Sequence, residues 1–419
     1  MPTTPRPLPV LGGRALALVG IILVALNLRT AVAALSPIFD RINVDVPLDT
    51  VGIGLLGTLP PLCFAVFGLA TPLLRRRMHL ETLLLVSLAA TTVAHLWRGS
   101  SDSFASLVLA SVAAFAGAGV ANVVLPPIVK KYFPNRIGGM TSAYVTVMTL
   151  FSMVPALIAV PVAESFGWRV SVGMWAALGA VAVFPWLALW LRERRAQLAV
   201  AEPDADVEVE APALVGRVWR TRLGWALAVL FGMTSMNVFG AFAWMPQMLT
   251  EIAGVAPAQA GALLALFAAM GVPLGLIIPV LAVRPGSALP LIVAGVAFFI
   301  AGYAALLLVP DVATWLWVVL VGLGPLLFPL SLVMINLRTR TPQGAIALSG
   351  FTQGIGYLIG SLGPLLMGIL YELTGSWTAP ILFLLSTVVG TAVAGYVLLR
   401  PRMLEDEWHE RADPPTATG

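Results

Sequence analysis

Apolar runs of about 20 residues or more, separated by short polar segments, recur along the whole chain. A helix of that length crosses the roughly 30 Å hydrocarbon core of a bilayer. The pattern predicts twelve spans, at 15–39, 51–74, 80–98, 104–129, 139–163 and 170–191, then at 223–249, 260–283, 288–309, 314–335, 346–371 and 378–399. The first run follows Arg14 and is too long for the core of a signal peptide, so it reads as a retained span. The expected fold class is an all-α integral membrane protein. Composition agrees: 59% of residues are hydrophobic and 11% charged, whereas soluble domains carry about 25% charge.

Charge placement gives an orientation. With both termini placed inside, 20 of the 24 lysines and arginines fall in inner segments and only Arg41, Arg98 and Arg169 in outer ones, leaving Arg29 within span one. The net charge of +4 and sequence pI of 9.6 do not point to nucleic acid, because the basic residues lie between apolar runs. A bilayer is the expected partner, in a cell membrane. The single Cys63 sits inside a span, which excludes an internal disulfide and reads as a small buried hydrophobe.

Between spans six and seven the composition changes sharply. Glu202, Asp204, Asp206, Glu208 and Glu210, with Pro203 and Pro212, read as a solvated cytoplasmic linker. The chain divides into 1–195, a six-helix bundle; 196–218, the linker; 219–400, a second six-helix bundle; and 401–419, a cytoplasmic tail. The two bundles repeat each other. Pro37 corresponds to Pro246 and Trp168 to Trp377 at an offset of 209, Pro72 and Arg77 to Pro279 and Arg284 at 207, and Gly117 and Gly119 to Gly322 and Gly324 at 205. Duplicated six-helix halves predict a central cavity between them near the midplane.

This layout resembles the major facilitator superfamily, and more narrowly its cyanate and 2-nitroimidazole permeases. The residues that carry the resemblance are Asn27-Leu28-Arg29, Thr58 to Phe64, Asn122 to Pro126 leading into Lys130 to Pro134, Gly167-Trp168-Arg169, Ser235 to Trp244, and Leu348 to Tyr357. One departure is Pro72, in Gly68 to Arg75, where the superfamily expects an aspartate. The resemblance implies secondary transport of a small, planar, charge-delocalised solute.

The residues point the same way. Arg29 lies in an apolar helix, where an arginine costs roughly 2.5–3.5 kcal/mol even on lenient insertion scales. All 20 acidic residues fall in loops, tails or span ends, so Arg29 is expected to be the one formal charge at depth, with no carboxylate to pair with. Either it attracts an anionic substrate, or backbone carbonyls and neutral side chains satisfy it. Asn27, two residues away, points to nearly the opposite side of the helix and is expected to bond a neighbouring helix. Asn237, Ala241 and Trp244 share a face of span seven, and Gln353 and Tyr357 lie four apart on span eleven. With Asn122 and Tyr144 these complete the candidate substrate-binding set: Arg29, Asn122, Tyr144, Asn237, Trp244, Gln353 and Tyr357. For each companion of Arg29, hydrogen bonding between helices is the competing role. His95, near the outer end of span three, is the histidine placed to couple a proton, the alternative being interfacial packing. Pro126, Pro127, Pro155, Pro325 and Pro329 allow bends without showing which occur.

No cluster of metal ligands or nucleophile-base pair is evident at depth, and no Walker-type loop occurs, so no metal, cofactor, enzyme activity or ATP-driven pumping is expected. The expectation is alternating-access transport of an anionic or weakly acidic solute by a monomer, with a proton or counter-anion as possible co-substrate. The alternatives are export of neutral drugs or metabolites and, further off, a membrane sensor that moves nothing.

Overall fold

In the computed structural model the described residues are 11–75, 77–199, 218–284, 286 and 288–407. All their regular elements are helical. Twelve helices are long and apolar enough to span a membrane: α1 (Gly13–Ala33), α2 (Thr50–Thr71), α3 (Leu80–Gly99), α4 (Phe104–Tyr132), α5 (Ala143–Phe166), α6 (Trp168–Arg192), α7 (Arg222–Ala253), α8 (Pro257–Ala282), α9 (Ala288–Leu308), α10 (Thr314–Leu337), α11 (Gly344–Thr374) and α12 (Thr378–Leu398). The chain alternates direction, so Arg75, Lys130, Lys131, Arg284, Arg338, Arg340 and Arg400 gather at one end of the bundle, here called the basic end. The acidic centre of the linker lies outside the described residues. Helix α6 continues into the expected linker as far as Ala199.

Span one is shorter than its apolar run. Pro37 has no N–H to offer the Ala33 carbonyl, and the chain leaves the helix there. It turns through a 3-10 segment, Ser36–Ile38, into a short helix, Phe39–Asp45. Other spans are also broken. Helix α5 is interrupted at Ser152 and α8 at Met270, and α10 passes through a 3-10 turn, Gly324–Leu326, that contains Pro325. By contrast α4 runs unbroken through Pro126 and Pro127, and α11 through Pro364. Gly254 (φ 65°) and Gly375 (φ 62°) end α7 and α11 in the left-handed conformation that a Cβ disfavours.

The duplication reaches individual side chains. At the far end of the first half, Trp168 Nε1 donates to Asp45 Oδ2 over 2.8 Å; in the second half, Trp377 Nε1 donates to Glu251 Oε2 over 2.8 Å. Each pair ties the start of the half's last helix to the far-end segment of its first: the short helix Phe39–Asp45 in one half, the last turns of α7 in the other. Hydrogen bonds from Trp168 and then Arg169 hold the Asp45 carboxyl below its ordinary range.

The halves close on each other at the far end. A Cβ on Gly57 would lie 2.5 Å from Ala243 Cβ, and one on Gly54 would lie 3.0 Å from the Pro364 carbonyl, so α2 approaches α7 and α11 through bare backbone. A Cβ on Gly261 of α8 would meet the Ala156 carbonyl of α5 at 2.9 Å. At the basic end, the first residues of the expected tail are docked. Glu407 accepts from the Arg222 backbone N–H (2.7 Å), and Glu405 accepts from the Thr341 N–H and hydroxyl (3.0 and 2.9 Å), capping the starts of α7 and α11. Burial opposes charge on Glu405, yet backbone donors led by Arg340 hold its carboxyl below the ordinary value.

Candidate functional site

Between the halves lies a cavity of about 390 Å³, walled by α1, α5, α7, α8, α10 and α11. The helix breaks border it: Ser152, Gly271 next to Met270, and Pro325 all lie on its wall. Broken helices beside a central site are how spanning segments expose backbone polar groups only where protein or a water-filled space can satisfy them. Toward the basic end the wall reaches Asn336, which is exposed. Toward the far end Val32, Phe239 and Phe242 close it. The same three residues border a second void of about 20 Å³, together with Leu35, Ser36, Phe39 and Phe115. That volume holds about one water molecule. The cavity is open at the basic end and shut at the other.

Arg29 is on this wall, half-buried, with no hydrogen bond or ion pair to any described residue. Its repeat counterpart Val238 is on the same wall, contributed by the other half. Asn27 is turned away: its Nδ2 donates to the Leu23 carbonyl (2.8 Å) and toward the Leu178 carbonyl of α6 (3.4 Å). Tyr357 also lines the cavity and sits in an aromatic cluster, with ring centroids 5.0 Å from Phe231, 6.0 Å from Phe64 and 6.2 Å from Phe239, all edge-on. Five rings in all line the wall: Phe239, Phe242, Phe267, Phe328 and Tyr357. The site is one cation set in an aromatic, otherwise largely apolar chamber.

The other candidate residues are not brought together with Arg29. Asn237 is 1% exposed; its Nδ2 donates to Thr387 Oγ1 of α12 (2.9 Å) and to the Met233 carbonyl (2.8 Å). Trp244 is fully buried, its Nε1 donating to the Pro364 carbonyl over 2.7 Å and its ring 5.6 Å from Trp377. Both belong to the face of α7 that packs on α11 and α12. The cavity face is Ser235, Val238, Phe239 and Phe242; two residues along a helix is about 200° of rotation, which puts Asn237 behind it. Gln353 donates to Ser349 Oγ on its own helix over 2.7 Å. Neither it, nor half-buried Asn122, nor buried Tyr144 lies on the cavity wall.

The expectation that Arg29 is the one charge at depth is corrected by Arg98. Arg98, at the end of α3, is fully buried. Its Nε donates to Ser111 Oγ of α4 (2.9 Å), its Nη1 to the Ala31 carbonyl of α1 (3.0 Å), and its guanidinium carbon stands 4.7 Å from the Phe115 ring centroid. Nη2 has no hydrogen-bond partner. His95, one turn earlier, is also fully buried, with neither ring nitrogen hydrogen-bonded. The sequence places Arg98 at the outer end of span three and counts it with the outer basic residues; nothing in the apolar pattern reveals that its side chain is buried in the bundle. The cavity phenylalanines escaped notice for a related reason, since by composition they read as core. Among the described residues no three metal-ligating side chains converge.

Residues 17–361 match the family described as Major Facilitator Superfamily. The chain is 30% identical over 380 residues to a 2-nitroimidazole transporter of Escherichia coli (strain K12), covering 88% of this chain and 91% of that protein. It is 26% identical over 377 residues to the cyanate transport protein CynX of the same organism, covering 89% and 94%. In fold it is similar to a bacterial homolog of the human lysosomal transporter Spinster in an inward-facing and unoccupied conformation, with a TM-score of 0.74 at 16% identity, covering 95% of this chain and 99% of that one. With twelve helices long and apolar enough to span a membrane, the chain belongs to the major facilitator superfamily of membrane transporters.

Proposed function

We propose that the protein moves a small planar anion or weak acid by alternating access, with Arg29 as the group that recognises its charge. The observation that carries this reading is the unpaired Arg29 on the wall of an apolar cavity between the halves. A guanidinium there is weakly screened, and its planar fork of donors suits a carboxylate, azolate or nitro group. Five aromatic rings and about 390 Å³ suit a solute of ring size, which favours a nitroimidazole-like ligand over a triatomic ion. Tyr357 is the second contact. Asn237 and Trp244 support it from behind, by holding α7 to its neighbours.

The basic end is assigned to the cytoplasm by the positive-inside rule, with both termini on that side, so the cavity faces inward. One chain supplies the whole wall, and the transport unit is the monomer. His95 is enclosed without a hydrogen-bond partner, so exchange against a counter-anion, or a proton carried on the substrate, is the simpler coupling. The apolar wall also favours a second reading, export of neutral compounds. Counterflow in liposomes with 2-nitroimidazole, cyanate, nitrite and neutral aromatic amides separates the two. Arg29→Ala is expected to slow exchange of the anions by about ten- to a hundredfold at sub-saturating concentration and leave any amide flux in place; equal anion exchange by Arg29→Ala and wild type would overturn the anion reading.

A further inference from the structure

We propose that Arg98 is a positioning residue, whose bond to the Ala31 carbonyl fixes the broken end of α1 and thereby aims Arg29 into the cavity. Three observations converge on it. Helix α1 stops at Ala33, because the chain from Ser36 to Ile38 follows a 3-10 path with Pro37 inside it. The last carbonyls of such a helix lack intrahelical donors. One of them, that of Ala31, is buried two residues from Arg29 and takes its donor from Arg98 on α3, over 3.0 Å. Arg98 is in turn held by Ser111 of α4 and by the face of Phe115.

The anchor is therefore fastened to two helices of the same half, while Arg29 faces a space shared with the other half. Arg98 lines neither void; whatever it does for a ligand in the cavity, it does through α1. A charged donor is suited to the task. Its bond to the carbonyl is stronger than a neutral one, and the delocalised charge is stabilised by an aromatic face without needing a carboxylate. Lysine could supply one donor at that carbonyl; alanine supplies none.

The proposal rests on Arg29 being the recognition group of the cavity, and its test reads geometry rather than transport. In a Cys63→Ala background, Arg29→Cys is labelled with a negatively charged methanethiosulfonate reagent, and Val238→Cys on the opposite wall serves as reference. Adding Arg98→Ala is expected to slow labelling at position 29 by about five- to thirtyfold, while position 238 keeps its rate. Arg98→Lys is expected to retain most of the rate at 29. An unchanged rate at 29, or an equal fall at both positions, would overturn the proposal. Counterflow on Arg29→Ala is scored separately, so a failed anion reading remains distinguishable from a failed clamp.

Discussion

Arg29 and Arg98 are both arginines inside the same helical half, neither ion-paired with a described carboxylate, yet the fold treats them in opposite ways. Arg98 is fully enclosed and its charge is spread over a hydroxyl, a carbonyl and an aromatic face. Arg29 is half-buried on a cavity wall and has no hydrogen bond or ion pair to any described residue. A buried cation must find partners within the protein, because leaving it unsatisfied costs several kcal/mol. A cation beside a space that admits water or solute can wait for its partner. The same residue type is thus a fastening in one place and a receptor in the other, and the difference is made by what surrounds it.

That contrast can be broken by measurement. The largest expected effect on stability is that of Arg98→Ala, which leaves the Ala31 carbonyl and Ser111 without their donor and removes a fully buried side chain; by analogy with other buried polar truncations it costs about 3 kcal/mol. Thermal unfolding in detergent checks this, and Arg29→Ala, read in the same assay, is expected to lie within about 0.5 kcal/mol of wild type. A melting point lowered more by Arg29→Ala than by Arg98→Ala would reverse the assignment of roles.

The next effect is on recognition. Arg29→Ala is expected to weaken anion binding by about ten- to a hundredfold, the worth of one charged hydrogen bond, measured by titration calorimetry or counterflow. Arg29→Lys should recover part of it, since the charge remains and the fork of donors is lost. Moving the cation across the pseudo-symmetry axis sharpens the same point. In an Arg29→Ala background, Val238→Arg puts a guanidinium on the opposite wall and is expected to restore anion binding to within about tenfold of wild type, because the cavity and not the particular helix defines the receptor.

The smallest effect concerns the far-end ties. Asp45 has its carboxyl value lowered by Trp168 and Arg169, so the stability it contributes is fully present above the ordinary value of 3.8 and is lost as pH falls through the lowered one. Melting temperature should therefore stay flat from neutral pH down to about 4 and decline below it. Trp168→Phe should flatten part of that acid limb. A decline beginning near neutral pH would assign the sensitivity to some other group.

Much of the architecture was legible without coordinates. Twelve apolar runs, their alternating basic loops and the offsets that pair Trp168 with Trp377 follow from the need to satisfy every backbone group in lipid and from duplication. Arg29 was legible too, because a charge inside a long apolar run is conspicuous. The cavity's aromatic wall was not. Phe239, Phe242, Phe267 and Phe328 have the same composition signal as a packed core, and the polar-looking face of α7, with Asn237 and Trp244, turned out to be the face that packs. In a membrane bundle, amides and indoles bond neighbouring helices as readily as solutes, so polarity alone does not say which face is wet.

Sequence by itself determined the number of spans, their pairing into halves, and one unmatched cation in span one. Only the tertiary structure decided which side of each helix meets the cavity, that α1 ends at Ala33, and that Arg98 reaches back to hold its end. The reason is physical. Hydrophobicity is a property of a segment summed along the chain, whereas rotation about a helix axis and the reach of a long side chain are settled by close packing against neighbours hundreds of residues apart.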